Sequence, residues 1–137
     1  MSSPLDSLVG PNRPLAAEPA DDAEVRGLVR SGKARLADAV NPALALESRF
    51  DLAYNAAHAL CLAALRRLGY RARHPYVVFQ VLPHTLGLGP EVWRVLDNAH
   101  ARRNLSEYEG HQDLDERLVL DTVAACRRVA DRFDVLD

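Results

Sequence analysis

The chain has 137 residues, 48 % of them apolar, with 17 basic against 19 acidic side chains and a net charge of −2. That length suits one domain burying roughly two-thirds of the surface its unfolded chain exposes, a core that needs no disulfide or metal staple. Near-neutral charge excludes a global basic field that draws a protein onto nucleic acid or membrane, so any nucleic-acid binding has to be local. No apolar run reaches spanning length and no basic-then-apolar leader opens the chain, so a cytoplasmic protein with no membrane partner is expected. Cys61 and Cys126 lie far apart without metal-ligand spacing. They read as buried free thiols, and neither metal nor cofactor is expected.

Pro4, Pro11, Pro14 and Pro19 punctuate residues 1–20, which read as a Pro-rich N-terminal arm, loosely docked through residues such as Leu5 and Leu15. Residues 21–137 read as a helical bundle domain. Asp21 and Asp22 suit the start of a first helix, where a side-chain oxygen caps orphan N–H groups and negative charge meets the positive end of the helix dipole. Val25, Leu28, Val29, Leu36 and Val40 form its stripe, Gly27 and Gly32 weaken it, and Asn41-Pro42 ends it or opens the next. The second helix is expected from about residue 47, where Ser48 and Asp51 resemble a capping signal, to Leu68, with Gly69 just past its end. It is apolar nearly all round, so it should be contacted from several sides, and its alanines allow close approach. Asp51, Asn55 and His58 share one face of this rod. They read either as a satisfied polar strip or as groups facing another helix across a site. Arg66, Arg67, Arg71, Arg73 and His74 crowd the helix end, either as cations favoured at a helix C-terminus or as a local patch for RNA phosphates.

Tyr76–Leu82 reads as a short third helix, since the chain offers no evident partner strand, and Pro83 kinks or ends it. His84 is isolated and reads as structural. Gly87 and Gly89 make a turn, and Pro90 opens a further helix at the position where its missing N–H costs least. Asp113 and Asp115 cap a last helix, with Leu118, Val119, Thr122, Val123, Cys126, Val129, Ala130 and Phe133 inward. The expected fold is all-α, a four- to five-helix bundle. No repeat, Gly-rich phosphate loop, nucleophile elbow or helical HExxH motif is present.

The helix from Pro90 carries the most informative stretch, His100-Ala-Arg-Arg-Asn-Leu-Ser-Glu-Tyr-Glu-Gly110. Val92, Val95, Leu96 and Ala99 form one apolar face, and helical periodicity continues that face through His100, Arg103 and Glu107. An arginine aimed inward needs partners, because a buried unpaired charge is very costly. Two readings stay open: Arg103 pairs with a carboxylate, Glu107 or one on a neighbouring helix, or it is kept for an anionic ligand, phosphate above all.

Arg103-Asn104, Tyr108 and the helix Phe50-Asp-Leu-Ala-Tyr-Asn-Ala-Ala-His58 together resemble the HEPN superfamily, small helical-bundle proteins of toxin-antitoxin, defence and RNA-processing systems. The resemblance covers roughly residues 21–135. Its catalytic members carry an arginine, a polar residue and then, after a short spacer, a histidine. Arg103 and Asn104 match the first two. Tyr108 occupies the histidine slot, and His111 lies beyond it, past Gly110. The resemblance implies a homodimer whose motif helices meet in one composite cleft, acting on RNA without a metal. Arginine would hold the scissile phosphate and histidine would move the proton. Tyrosine, with a pKa of about 10 against about 6.5 for histidine, is a poor base at neutral pH.

Two functions from different classes follow. One is a metal-independent endoribonuclease of toxin or defence type, with Arg103 as phosphate clamp and His100 or His111 in place of the missing imidazole. Asn104 and Tyr108 would complete that set, and Arg102, Glu107, Asp51, Asn55 and His58 would line the substrate. The other is a non-catalytic HEPN-like dimer module that binds RNA, a nucleotide or a protein such as a cognate antitoxin. A helical adaptor whose polar run only specifies subunit pairing is a third.

Overall fold

The computed structural model describes residues 3–109 and 114–136, of which residues 105–109 are described by their backbone only. In chain order it holds a 3-10 turn at Pro4–Leu8, strand β1 (Leu15–Ala17), and helices α1 (Asp22–Ala39) and α2 (Leu46–Arg66). Strand β2 (Tyr70–Ala72) follows, then the single-turn helices α3 (Val77–Gln80) and α4 (Leu82–Thr85), and finally α5 (Pro90–Glu109) and α6 (Glu116–Phe133). Among the described residues the fold is thus an all-α bundle of four long helices and two short ones, with one small sheet.

The bundle is built around α2. Thirteen of its 21 residues are buried, which fits a rod packed by α1, α6, α3, α5 and β2 on different sides. Its alanines permit the close approach, and α1 contributes Gly32 at the tightest point. A Cβ there would lie 2.7 Å from Leu60 Cγ and 3.2 Å from the Ala56 carbonyl oxygen. α1 runs unbroken through both its glycines, capped by the Asp21 carboxylate on the N–H groups of Ala23 and Glu24. Its C-terminal carbonyl at Ala39 accepts from Arg49 Nε at 2.9 Å, which explains a buried arginine on α2. α6 starts on Asp115, whose carboxylate accepts from the Leu118 N–H. It buries Leu118 to Ala130 on one stripe, and Thr122 Oγ1 returns its hydroxyl proton to the Leu118 carbonyl. Burial pushes both thiols up, that of Cys126 to about 12, so Cys61 and Cys126 are inert core residues at neutral pH.

Several local expectations are corrected. α2 starts at Leu46 with Ala45 as a cap that makes no side-chain bond, so Ser48 and Asp51 lie inside the helix instead of capping it. The helix ends at Arg66, two residues short of Leu68, although Gly69 adopts φ +93° just past it. Tyr76–Leu82 is not one helix. Pro83 has no N–H to give the Phe79 carbonyl, so the chain breaks at Val81 and a second turn begins with Pro83 inside it. Asp113 lies outside the described residues, and only Asp115 is seen to cap.

The largest difference concerns the arm, which carries part of the core. Leu5 and Leu15 are fully buried, and the Tyr70 hydroxyl donates to the Asp6 carboxylate. β1 pairs antiparallel with β2 in the register Leu15 to Ala72, Ala16 to Arg71 and Ala17 to Tyr70. A cluster of four charges locks this sheet to the helices. Arg66, 1 % exposed at the end of α2, donates from Nε to Glu24 of α1 at 2.6 Å and sits 3.2 Å from the Glu18 carboxylate. Its other N–H groups reach the carbonyls of Glu18, Pro19 and Tyr70. Arg71 of β2 bonds both carboxylates at 2.8 Å. The cluster sums to zero charge and leaves every N–H direction of the buried guanidinium occupied. The Arg71 hydrogen bonds hold Glu18 and Glu24 below the usual carboxylate range.

Arg66→Met is therefore expected to lower the free energy of unfolding by about 3 kcal/mol, because it strands three carbonyls and leaves two carboxylates to Arg71 alone. Arg66→Lys should not restore it, since one ammonium cannot span those acceptors. Urea unfolding at pH 7 measures both. The carboxylates have depressed folded-state pKa values, so their contribution is present at neutral pH and fades as the pH falls below about 4.3 and through the folded values.

Candidate functional site

Helical spacing sets Asp51, Tyr54, Asn55 and His58 in one row on α2 and His100, Arg103 and Asn104 in one row on α5, and the packing of the bundle brings the two rows face to face. Tyr54, Asn55, His58, His100, Arg103 and Asn104, with Pro75, line an open cleft of about 380 Å³. Asp51 stands beside it, its carboxylate 4.0 Å from Arg103 Nε.

Tyr54 organises the cleft. Its ring is buried, edge-on to fully buried Phe79 at 5.9 Å. A buried phenol needs a partner for its hydroxyl, and Tyr54 finds it in His100 Nδ1 at 2.8 Å. The Arg103 guanidinium lies over the same ring, 4.8 Å from its centre. The cation therefore faces an aromatic surface on one side and the open cleft on the other, with side-chain exposure of 31 %. His100 is held at both ends of its ring, since Nε2 meets the Asn104 amide nitrogen at 3.0 Å.

His58 is the second imidazole. It is half-buried, set edge-on to Phe79 at 6.1 Å and tilted to Tyr54 at 6.4 Å. Burial lowers its pKa, and the nearby basic groups of His100 and Arg103 add to the effect. Among the described residues nothing hydrogen-bonds to the His58 ring, so a neutral imidazole faces the cleft with its nitrogens uncommitted.

The sequence-derived site residues divide as follows. His58, Asn55, His100, Arg103 and Asn104 line the cleft and Asp51 flanks it. Arg102, half-buried, is not part of that lining. Glu107 and Tyr108 lie on the last turn of α5, their side chains outside the described residues, and His111 lies outside them altogether. From sequence, Tyr54 is legible only as one residue of the nearly all-round apolar α2 and of the Phe50–His58 stretch. The available signal was its hydroxyl, on a helix face shared with Asp51 and His58. The basic patch after α2 also divides: Arg66 and Arg71 are consumed by Glu18 and Glu24, whereas Arg73 and His74 are exposed. Among the described residues no group of three His, Cys, Asp or Glu side chains is placed to hold a metal ion, and no helix is long and apolar enough to cross a membrane.

Comparison of the chain with protein-family models, curated proteins and solved structures found no match.

The His58 environment has a direct consequence. Its C–H resonances are expected to titrate below pH 6.5 in an NMR pH series, and Arg103→Ala should raise the midpoint by removing a positive neighbour. Because the folded pKa is below the unfolded one, the unfolded chain binds more protons over that interval. Stability should accordingly fall as the pH drops below about 6.5 and level off below the folded value. A midpoint above 6.5 would remove the neutral base from the site.

Proposed function

We propose that the protein is a HEPN-like ribonuclease that cleaves RNA without a metal in the cleft between α2 and α5. The observation that carries this reading is the pairing of an uncommitted, half-buried imidazole, His58, with a held guanidinium, Arg103, on the walls of one open cleft. Metal-free cleavage of RNA needs a base for the 2′-hydroxyl proton, a cation for the charge growing on the phosphate, and a proton for the departing 5′-oxygen. His58 is neutral at pH 7 and suits the first task. Arg103 keeps its charge at every relevant pH and its planar fork suits phosphate. The third requires His100 in its protonated form: Nε2–H, freed from the Asn104 amide by the substrate and oriented by Tyr54 at Nδ1, passes its proton to the 5′-oxygen, and the ring regains one from solvent. This assignment adds His58 to the catalytic set and moves the base away from the Tyr108 slot of the resemblance. As in that resemblance, a second copy is proposed to pair along α5 and complete the cleft.

A second reading has its own observation. Arg103 already faces Asp51, and both nitrogens of His100 have partners, as in a module that binds RNA, a nucleotide or a partner such as an antitoxin and does not cleave.

Incubation of the purified protein with single-stranded RNA in the presence of a chelator separates the two. Cleavage by the wild type is expected, reduced about 10²-fold or more in Arg103→Ala and by a similar factor in His58→Gln. With His58 as base, the rate should fall on the acid side with a midpoint below 6.5. RNA that is bound yet intact with the wild type would leave the binding module as the function. Light scattering should give the mass of a dimer; a monomer that still cleaves would assign the whole site to one chain.

A further inference from the structure

The cleft does not end at His58. A second cavity of about 280 Å³ shares His58 and Pro75 with it, and a third, of about 880 Å³, shares residues 71–74 with the second. Together they form one trough that leads from the turn of the N-terminal arm, past β2 and the start of α3, to the α2/α5 cleft. Its lining is chemically one-sided. Arg13, Arg71, Arg73, His74, His58 and Arg103 contribute to the three walls, and among the described residues no aspartate or glutamate lines them, Asp51 standing beside the cleft at Arg103. In a chain with net charge −2, that is segregation of charge and not bulk composition.

We infer that this trough is a track for single-stranded RNA flanking the site of cleavage, an inference that rests on reading the cleft as an RNA site. Arg71 is already paired with Glu18 and Glu24, and the cations that carry the track are Arg13 and Arg73. Arg13 donates to the Ser7 carbonyl at 3.0 Å and Arg73 to the Gly10 carbonyl at 3.2 Å, so each guanidinium is oriented by a neutral acceptor and keeps its charge and its other N–H groups for phosphate oxygens. A base platform stands between them and the cleft. The rings of His74 and Tyr76 lie parallel, 5.6 Å apart and 5° from coplanar, and both residues are exposed. Tyr76 also lies 5.9 Å from His100, which joins the platform to the cleft. Alternation of backbone-tracking cations with an exposed stacked ring pair is the chemistry of single-stranded nucleic acid, whose unpaired bases offer π-faces that a duplex hides. An acidic peptide would use the arginines and leave the ring pair without a role.

The test is fluorescence anisotropy with a labelled 2′-O-methyl oligouridine of about twelve nucleotides, which lacks the attacking hydroxyl and stays intact, beside a 2′-O-methyl uridine dinucleotide that fills the cleft alone. The wild type should bind the longer RNA more tightly. Tyr76→Ser is expected to weaken the oligouridine about tenfold, with Tyr76→Phe retaining affinity because the stack survives. Arg73→Ala should lower the slope of log affinity against log salt by about 0.7 and Arg73→Lys should keep it. Dinucleotide affinity should not change with Arg73. Wild-type affinity in Tyr76→Ser and Arg73→Ala overturns the track, and if Arg103→Ala still weakens the dinucleotide the cleft reading stands without it. No binding of either RNA by the wild type overturns both. Tighter binding of a duplex of equal length overturns the single-strand assignment.

Discussion

The position of the trough depends on one buried guanidinium. Arg66 closes the end of α2 by binding, at once, a carboxylate from α1, a carboxylate and two carbonyls from the segment after β1, and a carbonyl of β2. A three-residue ribbon such as β1 and β2 has too little ladder to hold itself in water. It persists because Arg66 and Arg71 fasten both of its strands to the bundle while Leu5 and Leu15 fill the space beneath. The arm consequently becomes a wall, and the turn carrying Arg13 is set opposite Arg73. Buried ion pairs seldom add much net stability over apolar replacements, but they penalise every arrangement in which a partner is missing. Here that penalty fixes where the arm lies.

A second side chain performs the corresponding task in the cleft. Tyr54 belongs to the core by its ring and to the site by its hydroxyl. Its position i+3 from Asp51 and i+4 before His58 puts core and site on the same helix face, so the packing that stabilises the bundle also sets the distance between the rows of α2 and α5. Arg103 rests on the ring and His100 hangs from the hydroxyl, so one side chain positions both. Rigidity at this point is economical in entropy, because a buried aromatic ring has few rotamers to lose.

This explains what was legible in the chain. Features that follow a 3.6-residue period were readable: the all-round apolar α2, the stripe of α5 that turns polar at His100, the single face shared by Asp51, Asn55 and His58. The facing of that row toward His100 and Arg103 followed as one of two open readings. Features that depend on partners distant in sequence were not. Glu24 and Glu18 lie 42 and 48 residues from Arg66, and nothing local distinguishes their carboxylates from those of a solvated helix start. Three-residue strands carry no period to detect, so Tyr70–Ala72 read as the turn after a helix. Ser48 and Asp51 misled for the opposite reason. Their capping pattern is local, yet the helix begins two residues before Ser48.

Net charge is the poorest guide to this molecule, and the cluster around Arg66 shows why. Two glutamates that would otherwise oppose an anionic ligand near β2 are turned between α1 and the arm, where two arginines cancel them. With them paired away, the ionisable side chains described on these walls, Tyr76 apart, are arginines and histidines. At physiological ionic strength a charge is felt over about 8 Å, so a ligand beside Arg13 and Arg73 responds first to the side chains that line the trough there. An overall balance of −2 is thus compatible with a strongly anion-selective surface, because the fold sorts its charges before solvent screens them.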